Sequence, residues 1–214
     1  MAMSTISGSR IASSKKMYHW HSVVEEWILA HERFSRLTGD AAYWYTERAN
    51  IGVLAGAAWR CGMVALEEFQ VIKNNAGYSK KRDQKDWSGR CDLWMANDRG
   101  DEIIESKLKC LCLRTSKAKQ FAAKALEDAV KDACASRWSE KTTAIGLVFL
   151  PIYTNARLAL NNGDLEELIE KIIEELSELD TSLIAWCFPE QNRSLLCGND
   201  KNYWPGIIMI GRIA

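Results

Sequence analysis

Two hydrophobic periods alternate along the chain, and the switches between them mark its elements. From His19 to about Leu37, Val23, Val24, Trp27, Ile28, His31 and Phe34 recur at three- and four-residue spacing, one face of a helix. Thr38-Gly39-Asp40 ends it. Ala42 to Cys61 gives a second helix, with Ile51, Leu54, Ala58 and Cys61 as its stripe, broken by Gly62. Val64 to Ile72 reads as a strand, followed by a polar, basic loop over Asn74 to Lys85. The stretch SGRCDLWMANDRGDEIIESKLK, Ser88 to Lys109, reads as two strands, Arg90–Ala96 and Glu102–Leu108. The turn formers Asn97-Asp98-Arg99-Gly100-Asp101 join them. Leu108 to Leu113 prolongs the apolar run.

A helix over Lys117–Trp138 follows, with Phe121, Ala122, Ala125, Leu126 and Ala129 on one face. Thr142 to Ile152, TTAIGLVFLPI, is almost continuously apolar, as befits a central strand covered on both faces. After a turn at Asn161–Asp164 comes a helix with the stripe Leu165, Leu168, Ile169, Ile172, Ile173 and Leu176, acidic on its other side. Strands at Ser182–Phe188 and Ile207–Ile213 flank a polar excursion, Glu190 to Asn202. Residues 1–16 are rich in Ser, Ala and Gly, lack a period, and read as a mobile terminus. The order predicts an α/β protein with a mixed central sheet flanked by helices, one domain over residues 17–214, with the first helix as an N-terminal extension.

One stretch carries candidate chemistry. Strand side chains alternate faces, so Glu105 and Lys107 point the same way. Asp92, at the start of the partner strand, supplies a second carboxylate close by. Two carboxylates suit a hard divalent ion, Mg²⁺ or Mn²⁺, whose remaining ligands are waters and phosphate oxygens. Such an ion lowers the pKa of a bound water, and an adjacent lysine stabilises transition-state charge or orients the attacking water. Metal-assisted phosphodiester hydrolysis is the chemistry this set serves. A solvated same-face pair on an edge strand is the plainer reading of Glu105 and Lys107. One turn before Ile51 stands Glu47, in line with the core-facing stripe. A buried acid there needs a partner, and a metal is one.

Asp92, then Glu105-Ser106-Lys107 after a tight turn, resembles the D…(D/E)-x-K signature of the PD-(D/E)XK nuclease superfamily, the restriction-endonuclease-like fold. The resemblance covers a core of about residues 43–152: a helix, three strands, a helix and a further strand. Cys91 stands where the signature has proline. The resemblance implies a divalent-metal-dependent endonuclease acting on DNA, with Asp92, Glu105 and Lys107 catalytic and Asp92 and Glu105 holding the metal. It also implies a helical Glu completing the metal shell, for which Glu47 is the candidate and Glu67 and Glu68 its competitors. A homodimer would suit cutting both strands of a duplex. A protein that keeps this fold and binds nucleic acid or protein without cleaving is the alternative. A small-molecule enzyme built on the same acids is a third.

Charge adds one refinement. The 28 Lys and Arg balance the 28 Asp and Glu, unlike a strongly basic nucleic-acid binder. The cations nevertheless cluster beside the proposed site, where Lys80, Lys81, Arg82, Arg90, Lys109, Lys117 and Lys119 are candidate phosphate contacts. No apolar run is long enough to span a bilayer and no leader pattern opens the chain, so the expectation is a cytoplasmic protein without a membrane partner. Seven scattered Cys read as reduced, buried thiols, and Cys110-Leu111-Cys112 lacks the spacing of a zinc knuckle. His19, His21 and His31 read as packing or surface residues, since no carboxylate or Cys converges on them at ligand spacing.

Overall fold

A computed structural model describes residues 5–73, 87–155, 162–196 and 201–214. Eight strands form one mixed, largely antiparallel sheet with four helices against it. The strands are β1 (Ile6–Ile11), β2 (Val64–Lys73), β3 (Trp87–Asn97), β4 (Gly100–Leu108), β5 (Leu111–Cys112), β6 (Thr143–Asn155), β7 (Leu183–Phe188) and β8 (Asn202–Ile213). The helices are α1 (Trp20–Thr38), α2 (Glu47–Arg60), α3 (Ala118–Ser136) and α4 (Asn162–Ser177). Across the sheet the order is β1-β7-β8-β6-β4-β3-β2, with β5 also on β6. β4 and β5 run parallel to β6, and every other pairing is antiparallel.

The continuous apolar run of β6 has the cause its composition implies. Leu147 and Phe149 join the core under α1 and α2, while Val148, Leu150 and Ile152 join the core under α3 and α4. Gly146 of β6 permits a close approach on the second face. A Cβ there would lie 2.3 Å from the backbone nitrogen of Val130, so α3 rests directly on the strand.

Three stretches differ from the sequence reading. Residues 1–16, expected to be a mobile terminus, contain β1, which pairs along its whole length with β7, from Ile6 opposite Phe188 to Ile11 opposite Leu183. The helix expected over Ala42–Cys61 starts at Glu47, after a 3-10 turn at Ala42–Trp44. Leu108–Leu113 is not one strand: β4 stops at Leu108 and the short β5 pairs separately with β6. The expected N-terminal extension, α1, is part of the layer. Trp20, Val23, Val24 and Trp27 are buried in the same cluster as Ile51 and Leu54 of α2. No helix of the described residues is long and apolar enough to cross a membrane.

Candidate functional site

The β3–β4 hairpin is paired only from its turn as far as Leu93 opposite Ile104. Beyond that point the strands part, and Asp92 and Glu105 are the first residues past the last pair. β4 stays fixed through this region because Glu105 pairs with Gly146, Ser106 with Leu147 and Lys107 with Val148 of β6. The backbone amide of Ser106, freed from β3, donates to Asp92 Oδ2 at 2.7 Å, and the Ser106 hydroxyl lies 3.1 Å from the same oxygen. A side-chain carboxylate thus replaces a ladder bond where the strands diverge.

Glu47 reaches this place from the start of α2. Thr46 caps the helix, accepting from the Ala49 amide at 3.2 Å, and puts Glu47 in the first turn, where a carboxylate suits the helix dipole. Glu47 accepts from the Leu108 amide and the Ser106 hydroxyl, and its charged neighbours are Asp92 and Lys107. Burial, with Asp92 next, pushes its carboxyl above the ordinary range despite these donors. Neither competitor shares these neighbours. Glu67 lies against Gly52 of α2. Glu68 has a left-handed backbone, φ 52°, and its carboxylate meets Arg90 at 3.3 Å.

Glu105 and Lys107 both turn toward α3. Glu105 is 3% exposed. Its Oε1 accepts from Lys73 Nζ at 2.7 Å and from the Ser136 hydroxyl at 2.5 Å. Burial raises its pKa, Lys73 and Ser136 oppose the rise, and Asp92 adds to it. Lys107 Nζ lies 2.6 Å from Asp132 Oδ2. Burial works against its charge, but Asp132, Glu47 and Asp92 outweigh that and hold its pKa above the ordinary lysine value. Asp92 is therefore the electrostatic neighbour common to Glu47, Glu105 and Lys107.

Lys73, Asp132, Ser136 and Ser106 carry the contacts of this site and were not singled out from sequence. Ser106 was legible as the middle residue of Glu-x-Lys. Lys73, Asp132 and Ser136 come from other elements, 32, 25 and 31 residues from their partners.

The donors are all oxygens, which fits a hard divalent ion by chemistry. Among the described residues, however, no three His, Cys, Asp or Glu side chains converge closely enough to hold a metal. Glu105 is engaged instead by Lys73 and Ser136.

The candidate phosphate contacts divide. Lys109 and Lys117 are exposed. Arg90 is exposed and paired with Glu68. Lys119 meets Glu178, beyond the end of α4, at 2.8 Å, and Glu175 accepts from the Ala118 amide, so this end of α3 is held by acids. Lys80, Lys81 and Arg82 lie outside the described residues. Cys61, Cys91, Cys112, Cys134 and Cys187 are free thiols, and buried Cys91 has its thiol pushed up to about 12, first by burial and then by Glu105. No family model matches the chain, and neither a curated protein nor a solved structure does.

Proposed function

We propose that the protein is a divalent-metal-dependent endonuclease hydrolysing phosphodiester bonds in DNA, with a restriction-endonuclease-like core. The observation that carries the reading is the gathering of Glu47, Asp92, Glu105 and Lys107 around the point where β3 and β4 separate. The core order supports it: α2, then β2, β3 and β4, then α3, then β6, with the four strands adjacent in the sheet.

Asp92 and Glu105 would hold the metal, with Glu47 assisting. When bound, Mg²⁺ or Mn²⁺ supplies a more acidic water and neutralises phosphate charge. Lys107 keeps its proton because three carboxylates surround it, so it acts as a cation toward the phosphate. The Ser106 amide holds the Asp92 carboxylate at 2.7 Å, and its hydroxyl lies within reach of both Asp92 and Glu47. Exposed Lys109 and Lys117 supply nonspecific phosphate contacts.

The second reading, a binding protein that keeps this fold and cleaves nothing, is favoured by the engagement of Glu105 with Lys73 and Ser136. Supercoiled plasmid with Mg²⁺ or Mn²⁺, wild type beside Lys107→Ala and Asp92→Asn, separates the two. The nuclease reading expects metal-dependent nicking that falls by about a hundredfold or more in either variant. No cleavage of plasmid, single-stranded or branched DNA by the wild type would sink it. Calorimetry with the metal alone then decides whether the carboxylates bind an ion at all.

A further inference from the structure

A cleft of about 910 Å³ opens at the turn end of the β3–β4 hairpin. Asn97 and Gly100 of that turn line it. They lie five residues from Asp92 and Glu105 along the strands, and Glu102, also in the lining, lies three residues from Glu105, about 10 Å of extended chain. Its wall on one side is the loop Ala12-Ser13-Ser14-Lys15-Lys16 between β1 and α1, with Tyr18, His19 and His21 at the helix entrance. Arg99 and Lys141 line it as well.

The charges do not cancel. Lys15, Lys16, Arg99 and Lys141 face only two carboxylates, Asp101 and Glu102, and both are already engaged. Asp101 accepts from the Thr142 hydroxyl at 3.0 Å and from Trp94 Nε1 at 3.3 Å. Glu102, 5% exposed, accepts from Trp20 Nε1 at 3.1 Å. His19 Nε2 lies 3.0 Å from its other oxygen, off the line of a hydrogen bond. Among the described residues the four cations make no ion pair; Arg99 instead lies over the Tyr18 ring, 5.5 Å from its centre. α1 opens here with no acid of its own in its first turn and no side-chain cap, and the carboxylate at this end is that of Glu102, already engaged by Trp20.

A cleft of this volume is the size of a small-ligand site. Its surplus cations and two serine hydroxyls call for a ligand with more than one negative charge. Tyr18, 68% exposed at the rim, offers an aromatic face to a flat group. We propose that this cleft binds a nucleoside polyphosphate, with its phosphates among Lys15, Lys16, Arg99 and Lys141 and its base against Tyr18. None of the Asp92 cluster takes part, so the proposal stands or falls apart from the nuclease reading.

The test is calorimetric titration of the full chain with ATP and with GTP, and with pyrophosphate and adenosine as part-ligands. Wild type is compared with K15A/K16A/R99A and, separately, with Lys141→Glu; K124A, an exposed cation on α3, is the control. Thermal melting checks that each variant folds, and two variants that share no residue guard against the loss of one. At least one nucleotide should bind the wild type and K124A alike, and its affinity should fall at least about tenfold in each cleft variant. Tyr18→Ala should weaken the nucleotide and leave pyrophosphate unchanged. The proposal is overturned if neither nucleotide binds at millimolar concentration, or if the cleft variants bind as well as wild type. It is also overturned if pyrophosphate binds as tightly as the nucleotides, or if a short DNA duplex binds through these cations while nucleotides do not.

Discussion

Lys73 is the only cation within bonding distance of Glu105 among the described residues, and the pair is largely out of water, with side chains 14% and 5% exposed. Removing one partner of such a pair leaves a buried charge behind, which costs more than the pair itself contributes. Lys73→Met should therefore destabilise the protein by about 3 kcal/mol in urea denaturation. Lys73→Met combined with Glu105→Gln should recover more than half of that loss, because the neutral amide still accepts from Ser136. Equal losses in the single and double variants would mean that the lysine acts through its packed stem and not its charge. The same contact bears on acid dependence. Glu47 and Glu105 both have raised pKa values, burial being the first cause in each. Carboxylates bind metal only when ionised. Metal affinity, followed by calorimetry, should thus begin to fall at a pH above the ordinary carboxylate range. Asp92→Asn should move the onset back toward that range, since Asp92 raises both neighbours.

Among the elements, two glycines make opposite predictions from the same substitution. Gly146→Ala would drive a methyl into the backbone of α3 at Ala129 and Val130, neither of which can rotate away. The cost should be about 2 kcal/mol, and because α3 carries Asp132 and Ser136, the nuclease activity proposed above should fall with it. Gly56 sits exposed inside α2 with nothing within 4 Å of an added Cβ. Gly56→Ala should stabilise by roughly 0.5–1 kcal/mol, because the helix interior no longer carries the entropy cost of glycine. Thermal melts of the two variants beside wild type check both signs.

The contrast between these glycines also marks the limit of what the sequence made legible. TTAIGLVFLPI declared a strand buried on both faces, and the turn formers at Asn97–Asp101 declared the hairpin. Which glycine touches another element depends on how α3 docks, and no local pattern encodes that. β1 was missed because Ile6-Ser7-Gly8-Ser9-Arg10-Ile11 is apolar only at its ends, as an edge strand can be. The candidate site was legible where its residues share one strand, as in Glu105-Ser106-Lys107. It was illegible where α3 and β2 bring Asp132, Ser136 and Lys73 to it.

At the scale of the whole molecule, acid should unfold this protein chiefly through a histidine remote from the candidate site. His31 of α1 is 1% exposed, packed edge-on to Trp27 at 4.7 Å and beside Tyr43 at 5.6 Å, and neither ring nitrogen has a hydrogen-bond partner. Burial lowers its pKa from 6.5 to about 3. The folded protein therefore holds His31 neutral where the unfolded chain protonates it. Stability from this residue is complete well above pH 6.5 and drains away as pH falls toward 3, at a rate that approaches about 1.4 kcal/mol for each unit below pH 5.5. Glu47 and Glu105 act with the opposite sign. Their folded pKa values are raised, so the folded state takes up protons before the unfolded chain does, and acid relieves the strain of keeping them charged. Their contribution is common to the wild type and His31→Leu, so the difference between the two isolates the histidine. Urea denaturation at pH 6.5 and 5.5 should show a loss of about 1 kcal/mol in the wild type that is absent in His31→Leu. Imidazole resonances followed by NMR supply the check that does not depend on the variant folding. If the His31 ring titrates near pH 6.5 in the native protein, then water or a partner reaches it, and the dry packing between Trp27 and Tyr43 is not what sets its charge.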